Sequence, residues 1–358
     1  MAVTQLATDL QVQKWLKSYF AEYVRTSGFL PYMGRGSNSV IQTKYELTSG
    51  GKSINIPLVT RLKAAGVTGI NPLEGNEEAL GNFNQNIAID FLRNAVRITV
   101  PDEHYSEISL MQAARDMLTT WAADNLRKDV ITAFGSINGV PYADATAAQR
   151  NTWTAANVDR VLFGNARANF NATHATALGN VAAAQTLTAG VVSLMKRIAK
   201  TADPHIRPMR VNDSSGREYF VMFAGSFAFR DLKNDAVMVA SNREARPRDV
   251  ERNPIFQDGD LIYDGVIIRE IPEIPDLGTV GNASARVAPV YLCGAQAIGV
   301  AWGQEPKRIT DDFDYGHQKG VGTVEARGIE KMRFPTGAAG ALIDHGMVTG
   351  YVAAAADA

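Results

Sequence analysis

The sequence predicts an α+β fold, and three observations carry that prediction. Residues 104–134 run without Pro or Gly until Gly135 and hold one apolar stripe at steps of three and four. Residues 43–100 contain runs with a period of two on either side of a long glycine-bearing stretch. Beyond Pro204, short apolar runs alternate with turn signals such as Asp264-Gly265.

Composition sets the outer bounds. The chain has 358 residues, enough for one or two domains, with 46% hydrophobic and 20% charged residues. Its 36 basic and 37 acidic residues leave a net charge of −1. That balance argues against a dedicated nucleic-acid binder, though it does not exclude enclosing nucleic acid without gripping it. The single Cys293 excludes an internal disulfide framework, and its apolar neighbours predict a buried, inert thiol. No signal-peptide pattern opens the sequence and no apolar run reaches the ~20 residues of a membrane span. A soluble protein made in a cytoplasm is the expectation, without a membrane partner.

Taken in order, residues 5–26 read as an amphipathic helix whose apolar side holds Leu10, Trp15, Leu16, Phe20, Tyr23 and Val24. A Gly/Ser-bearing loop follows, so this segment reads either as a docking arm or as an ordinary first helix. Ile54, Ile56 and Leu58 alternate with polar residues and Pro57; Ile87, Ile89 and Phe91, then Val96, Ile98 and Val100, repeat that period. Two such strands and a long polar tip make an extended hairpin. A two-stranded ribbon is marginal in water, so it needs a surface to lie on. Asn82, Asn84, Gln85 and Asn86 suit polar edge contacts.

The helix of residues 104–134 would span roughly 45 Å at about 1.5 Å per residue. Met111, Ala114, Leu118, Ala122, Leu126, Val130 and Phe134 form its stripe, and Pro101-Asp102 marks its start. Residues 136–186, rich in Ala, Thr and Asn, read as loops and short helices or as an insertion. Residues 188–202 return to helix, Tyr219–Phe223 is a buried strand, and Ser226 to Asn234 is a short helix with Ser226 as its cap. Arg243, Arg246 and Arg248 lie in a mixed-sign loop that suits a salt-bridge or subunit-contact surface rather than a phosphate track. Residues 289–302 and 321–334 read as strands, and the Ala/Gly-rich tail as a short or loosely held end.

Motifs of catalysis are few. Gly51-Lys52-Ser53 lacks the upstream glycine of a phosphate loop and opens a strand. Ser193 and Lys196 match the S-x-x-K pattern of acylating serines without its companion motifs. The five histidines stand at least 28 residues apart, so none forms a local metal pair. Asp311, Asp312 and Asp314 suit an exposed acidic turn better than a cation site. No catalytic, cofactor-binding or metal residue is assigned, and no cofactor is expected.

The order of arm, hairpin, long helix and mixed body resembles the major capsid proteins of tailed bacteriophages, the Hong Kong 97-type fold. The wording of Pro57–Lys63, Gly66–Gly69, Leu73–Asn82, Arg207-Pro208, Tyr219–Phe223, Asp231-Leu232, Tyr263–Val266 and Cys293–Ala297 is similar to the N-four-type family within that group. The resemblance covers roughly residues 40–335 and is weakest over 136–186. It implies an N-terminal arm (1–42), an extended E-loop hairpin (43–100), and a peripheral P-domain with its spine helix (101–204). An axial A-domain (205–305) and a closing P-domain strand with the tail (306–358) complete it.

The implied function is structural, with no enzymatic activity. Copies would assemble as pentamers and hexamers into an icosahedral virion capsid around double-stranded DNA, built in the host bacterial cytoplasm. A portal protein, a separate scaffolding protein and a cement or decoration protein are the implied partners. Arg61, Lys63, Glu74, Glu77 and Glu78 at the hairpin tip are expected to make intersubunit polar contacts, with Trp15, Phe20, Arg243, Arg246 and Arg248 as further contact residues. The alternatives are an encapsulin-like nanocompartment shell, which would hold protein cargo, and a cytosolic α/β enzyme with a pocket near Asp311 and His317.

Overall fold

A computed structural model describes residues 28–70, 72–210, 218–244 and 261–357. Its strands in chain order are β1 (Met33–Gly34), β2 (Ile41–Lys44), β3 (Ser53–Val59), β4 (Asn82–Ala88), β5 (Asp90–Thr99), β6 (Val161–Phe163), β7 (Met209–Arg210) and β8 (Glu218–Ala224). Then come β9 (Leu261–Tyr263), β10 (Val266–Glu270), β11 (Val287–Cys293), β12 (Ile298–Phe313), β13 (Gln318–Lys331), β14 (Arg333–Phe334), β15 (Ile343–Asp344) and β16 (Met347–Ala353). The α-helices are α1 (Val100–Tyr105), α2 (Leu110–Gly135), α3 (Ala147–Ala156), α4 (His174–Gly179), α5 (Ala189–Thr201), α6 (Ser226–Asn234) and α7 (Ala236–Glu244).

The chain divides into two compact units. Among the described residues, one comprises those of 91–126 and 304–326, the other those of 28–90, 127–303 and 327–357. In the first, the N-terminal part of α2 buries Ala114 and Leu118 with Val321, while Ile98 and Met111 pack beside them. In the second, a sheet of order β6-β16-β11-β8-β10-β9 carries the main core. The α5 side chains Val191, Val192, Met195 and Ile198 bury against its Phe220, Met222, Val290, Val348 and Val352. The apolar spacing in α5 is therefore a core-facing stripe, capped at its start by Thr188, whose Oγ1 accepts from the Val191 amide.

The long helix is shorter than the sequence predicts. Residues 104–134 are not one rod: α1 ends at Tyr105 and α2 starts at Leu110. Two serines make the break. Ser106 Oγ accepts from the Ile108 amide and donates to the Ile108 carbonyl, and Ser109 Oγ accepts from the Gln112 amide. Glu103 takes the Ser109 hydroxyl and the Met111 amide, which satisfies orphan donors at the new helix start. The stripe itself holds, with Ala114, Leu118, Ala122, Val130 and Phe134 buried. Arg127 is buried too and pairs with Glu273 at 2.5 Å.

Four further expectations need revision. The second alternating run divides at Ile89: β4 completes the hairpin with β3, in register Ser53↔Ala88 to Val59↔Asn82, whereas β5 pairs with β13. Ser226 is not a cap; Gly225 holds that position, and the Ser226 hydroxyl donates to Glu270. Residues 136–186 hold short helices as expected, yet β6 joins the main sheet beside β16, so the stretch is woven into the core. The tail is not loosely held. Every residue of β16 is buried, between β11 and β6. Its small residues are what permit this: a Cβ at Gly350 would stand 2.9 Å from Val290 and 3.0 Å from Met195. The Asp264-Gly265 turn is confirmed, with φ of +48° and +68° between β9 and β10.

Candidate functional site

The hairpin β3–β4 lies on its own unit by an apolar face and one buried amide. Ile54, Ile56, Leu58, Phe83 and Ile89 pack around buried Ile87, Leu47, Ala301, Met332 and Phe334. Gln85 is buried at the same face; its Nε2 donates to the Lys331 carbonyl at 2.8 Å and its Oε1 accepts the Arg333 amide at 2.7 Å. Two glycines let the hairpin seat closely. An added Cβ at Gly299 would meet Ile87 at 2.7 Å, and one at Gly328 would meet the Ala88 carbonyl oxygen at 2.0 Å. The hairpin therefore has a base fitted to a glycine-lined seat.

The tip, residues 60–81, is shaped by polar bonds within the chain. The Thr60 amide donates to the Gly81 carbonyl at 2.9 Å and closes the neck. The Glu78 carboxylate accepts the Lys63 and Ala64 amides at 2.6 and 2.7 Å, and these two bonds, Lys63 first, hold its pKa below the ordinary value. Glu77 accepts the Gly75 amide at 2.8 Å. Arg61 and Lys63 both bind Asp203, at 2.9 and 2.7 Å. The Lys63 hydrogen bond is the main reason that the Asp203 carboxyl titrates low. All three side chains are more than half exposed, so this clamp is a weak, salt-sensitive one.

Four of the five tip residues expected to meet a neighbour are thus engaged inside the chain, through Asp203 and backbone amides; Glu74 is exposed. Asp203 was invisible to sequence reasoning because it stands 140 positions from Lys63. The tip is also less polar than expected. Leu62, Ile70, Leu73 and Leu80 are each at least 60% exposed. Trp15, Phe20, Arg246 and Arg248 lie outside the described residues, and of Arg243 only the backbone, in α7, lies inside them.

The groups that could carry catalysis are occupied by structural work. Ser193 Oγ donates to Asp264, and Lys196 pairs with the same carboxylate at 2.7 Å, so the S-x-x-K residues tie α5 to the β9–β10 turn. Burial raises the Cys293 thiol far above its ordinary pKa, which leaves it inert. His174 and His345 are pushed down to about 4, chiefly by burial, with Arg150 and Arg160 respectively adding to the shift. Neither is poised as a general base near neutrality. Among the described residues no group of three or more His, Cys, Asp or Glu side chains could hold a metal ion. Nor is any described helix long and apolar enough to cross a membrane.

The two histidines make the fold acid-sensitive. Their folded pKa values lie below the unfolded value, so the unfolded chain takes up protons that the folded chain refuses. The resulting stability is whole above pH ~6.5 and is lost as pH falls towards about 4, at up to ~1.4 kcal/mol per pH unit for each histidine. Melting temperatures of the unassembled chain from pH 7.5 to 4 should fall along this window. His174→Gln should flatten the fall; an unchanged slope would show that His174 does not contribute.

Comparison with known proteins fits a structural reading of this arrangement. The family model described as "Phage capsid protein" matches residues 3–356. The chain is 31% identical to the "Major capsid protein" of Pseudomonas phage KPP25, over 97% of this chain and 96% of that one. It is similar to the solved capsid asymmetric unit of cyanophage Pam1, at 43% identity over the whole of both chains and a TM-score of 0.90. The capsid of Ralstonia phage GP4 shares the fold at 21% identity, again over both whole chains, with a TM-score of 0.75. The Hong Kong 97-type capsid architecture expected from the sequence is the one these neighbours share. The chain belongs to the phage capsid protein family, and its work is structural, that of a major capsid protein of a tailed phage.

Proposed function

We propose that copies of this chain associate as pentamers and hexamers into an icosahedral shell around double-stranded DNA, assembled in the host bacterial cytoplasm. The observation that carries this reading is the hairpin: its base is fitted to its own unit, while its tip offers large apolar side chains to solvent. A monomer gains nothing from that exposure, whereas a subunit of a shell covers it with a neighbour. The near-neutral net charge of −1 suits a wall that lets DNA pack without adhering.

In this reading residues 1–42 form an arm, 43–100 the E-loop hairpin, 101–204 and 306–358 the P-domain, and 205–305 the A-domain. Arg61, Lys63, Glu74, Glu77 and Glu78, together with Trp15, Phe20, Arg243, Arg246 and Arg248, are its proposed contact residues. A portal protein, a scaffolding protein and a decoration protein are its proposed partners. The quoted segments further support kinship with the N-four-type family.

The test is expression of the chain together with the neighbouring structural genes of its phage, followed by negative-stain electron microscopy. Closed shells or rings of five and six are expected. A uniform dimer or tetramer would overturn the reading, and shells loaded with a protein cargo instead of DNA would favour a nanocompartment.

A further inference from the structure

A cavity that the capsid reading leaves unused lies at the C-terminal end of α2. Its volume is about 360 Å³, within the range of small-molecule sites. Ile131, Pro141, Pro275, Leu277 and Pro289 give it a mainly apolar wall. Lys128 and Glu273, both exposed, line it as well, so one side opens to solvent. All of its lining residues belong to the unit that carries the main sheet.

Three tyrosines, Tyr142, Tyr291 and Tyr351, share the lining. Their rings are fixed by neighbours. Tyr291 stacks on Phe134 with centroids 5.6 Å apart, and Tyr351 stacks on Phe163 at 5.2 Å. The guanidinium carbon of Arg150 stands 4.4 Å from the Tyr142 ring centroid. Such a wall is preorganised, because little conformational freedom is left to lose on contact. Tyr291 and Tyr351 are only 4% and 3% exposed, yet neither hydroxyl has a hydrogen-bond partner among the described residues. The Tyr291 hydroxyl stands at the cavity wall, 3.1 Å from where a Cβ at Gly135 would lie. A buried hydroxyl without a partner is unfavourable, so an acceptor placed in the cavity is favoured there.

Tyr142 differs from the other two. The Thr154 hydroxyl donates to the Arg150 carbonyl at 2.8 Å, so it accepts from His174 Nδ1, also at 2.8 Å. His174, uncharged at neutral pH, is then an acceptor at Nε2, and the Tyr142 hydroxyl donates to it at 3.0 Å. The Tyr142 proton is thereby committed, and Tyr291 and Tyr351 are the tyrosines left to donate to a ligand.

We propose that this cavity binds a small neutral molecule of one or two rings that carries a carbonyl or similar acceptor oxygen. The Tyr291 and Tyr351 hydroxyls hold the oxygen, and the rings lie against the apolar wall. A neutral ligand fits better than an anion, because Lys128 shares the lining with Glu273 and Asp276 and no net positive field draws an anion inward. Such a ligand binds the folded, unassembled chain, so the site does not depend on the shell reading.

The test titrates the purified full chain with 1-tetralone, a bicyclic ketone, and with tetralin, the same two rings without the oxygen, by ligand-observed NMR. 1-Tetralone should bind. Tyr291→Phe and Tyr351→Phe should each weaken it about fivefold, the share of one hydrogen bond, and leave tetralin within about twofold. The phenyl ring keeps each stack, so both variants should keep the wild-type melting temperature. Ala143→Trp, at an exposed lining position, should abolish binding of both compounds by filling the cavity. No binding of 1-tetralone to the wild-type chain would overturn the site. Equal weakening of ketone and hydrocarbon, or none of either, would overturn the two hydroxyls as its donors. Undiminished binding to the Ala143→Trp chain would place the ligand elsewhere and overturn the cavity as its seat.

Discussion

Asp344→Ala is expected to cost the folded chain about 3–5 kcal/mol, the penalty for leaving one member of a buried ion pair alone. Asp344 and Lys331 meet at 2.9 Å with only 4% and 3% of their side chains exposed. The same carboxylate accepts the indole N–H of buried Trp153 at 3.1 Å. Around it, Arg160, fully buried, donates to the Asp344 and Pro204 carbonyls, and Asn157 accepts the Asp344 amide. Removing the carboxylate strands an ammonium group whose side chain is almost fully buried and leaves the indole without its acceptor. A compensating Lys331→Met in the same chain should recover most of the loss, because the charge that lacks a partner is then gone. Urea unfolding of the unassembled chain checks this. A loss under ~1 kcal/mol for Asp344→Ala would show that the pair is hydrated in the folded state.

Gly328→Ala should act on the hairpin itself. The added Cβ would sit 2.0 Å from the Ala88 carbonyl oxygen, a backbone atom that cannot swing aside. Either β13 or β4 must shift, and the apolar cluster of Ile54, Ile56, Ile87 and Met332 would open with it. Overpacking of this kind costs about 1–3 kcal/mol, and the backbone contact puts the expected value at the upper end. Hydrogen exchange at residues 53–59 and 82–88 should rise more than in the rest of the chain, because the lesion lies under their seat. Gly179→Ala in α4 is the control, since nothing beyond its chain neighbours and its own helix backbone lies within 4 Å of its added Cβ. Equal exchange in both variants would mean that the close approach at Gly328 does not hold the hairpin down.

The elements with strong periodicity were legible in the sequence. The β3–β4 hairpin, the α5 stripe and the Asp264-Gly265 turn follow from alternation, spacing and positive φ, all of which are local signals. The break at Ser106–Ser109 was also local, but two serine caps and Glu103 outweighed an uninterrupted helical pattern. The tail misled for a different reason. Its small residues look like slack chain, and only the facing Val290 and Met195 explain why Gly350 must be small. At the candidate site, the charged residues of the tip were conspicuous while their partner Asp203 was not, because a contact between Lys63 and Asp203 leaves no mark on the text near either residue. The exposed leucines were hidden by composition: in a stretch rich in Gly, Asn and Glu they read as ordinary loop residues until their exposure was known.

The most direct measurement is a cryo-electron microscopy reconstruction of the assembled particle at side-chain resolution. The account predicts a closed shell of pentamers and hexamers in which each hairpin tip reaches a neighbouring subunit and covers Leu62, Leu73 and Leu80 there. A particle in which those leucines remain in solvent, with the tip touching only its own subunit, would contradict it.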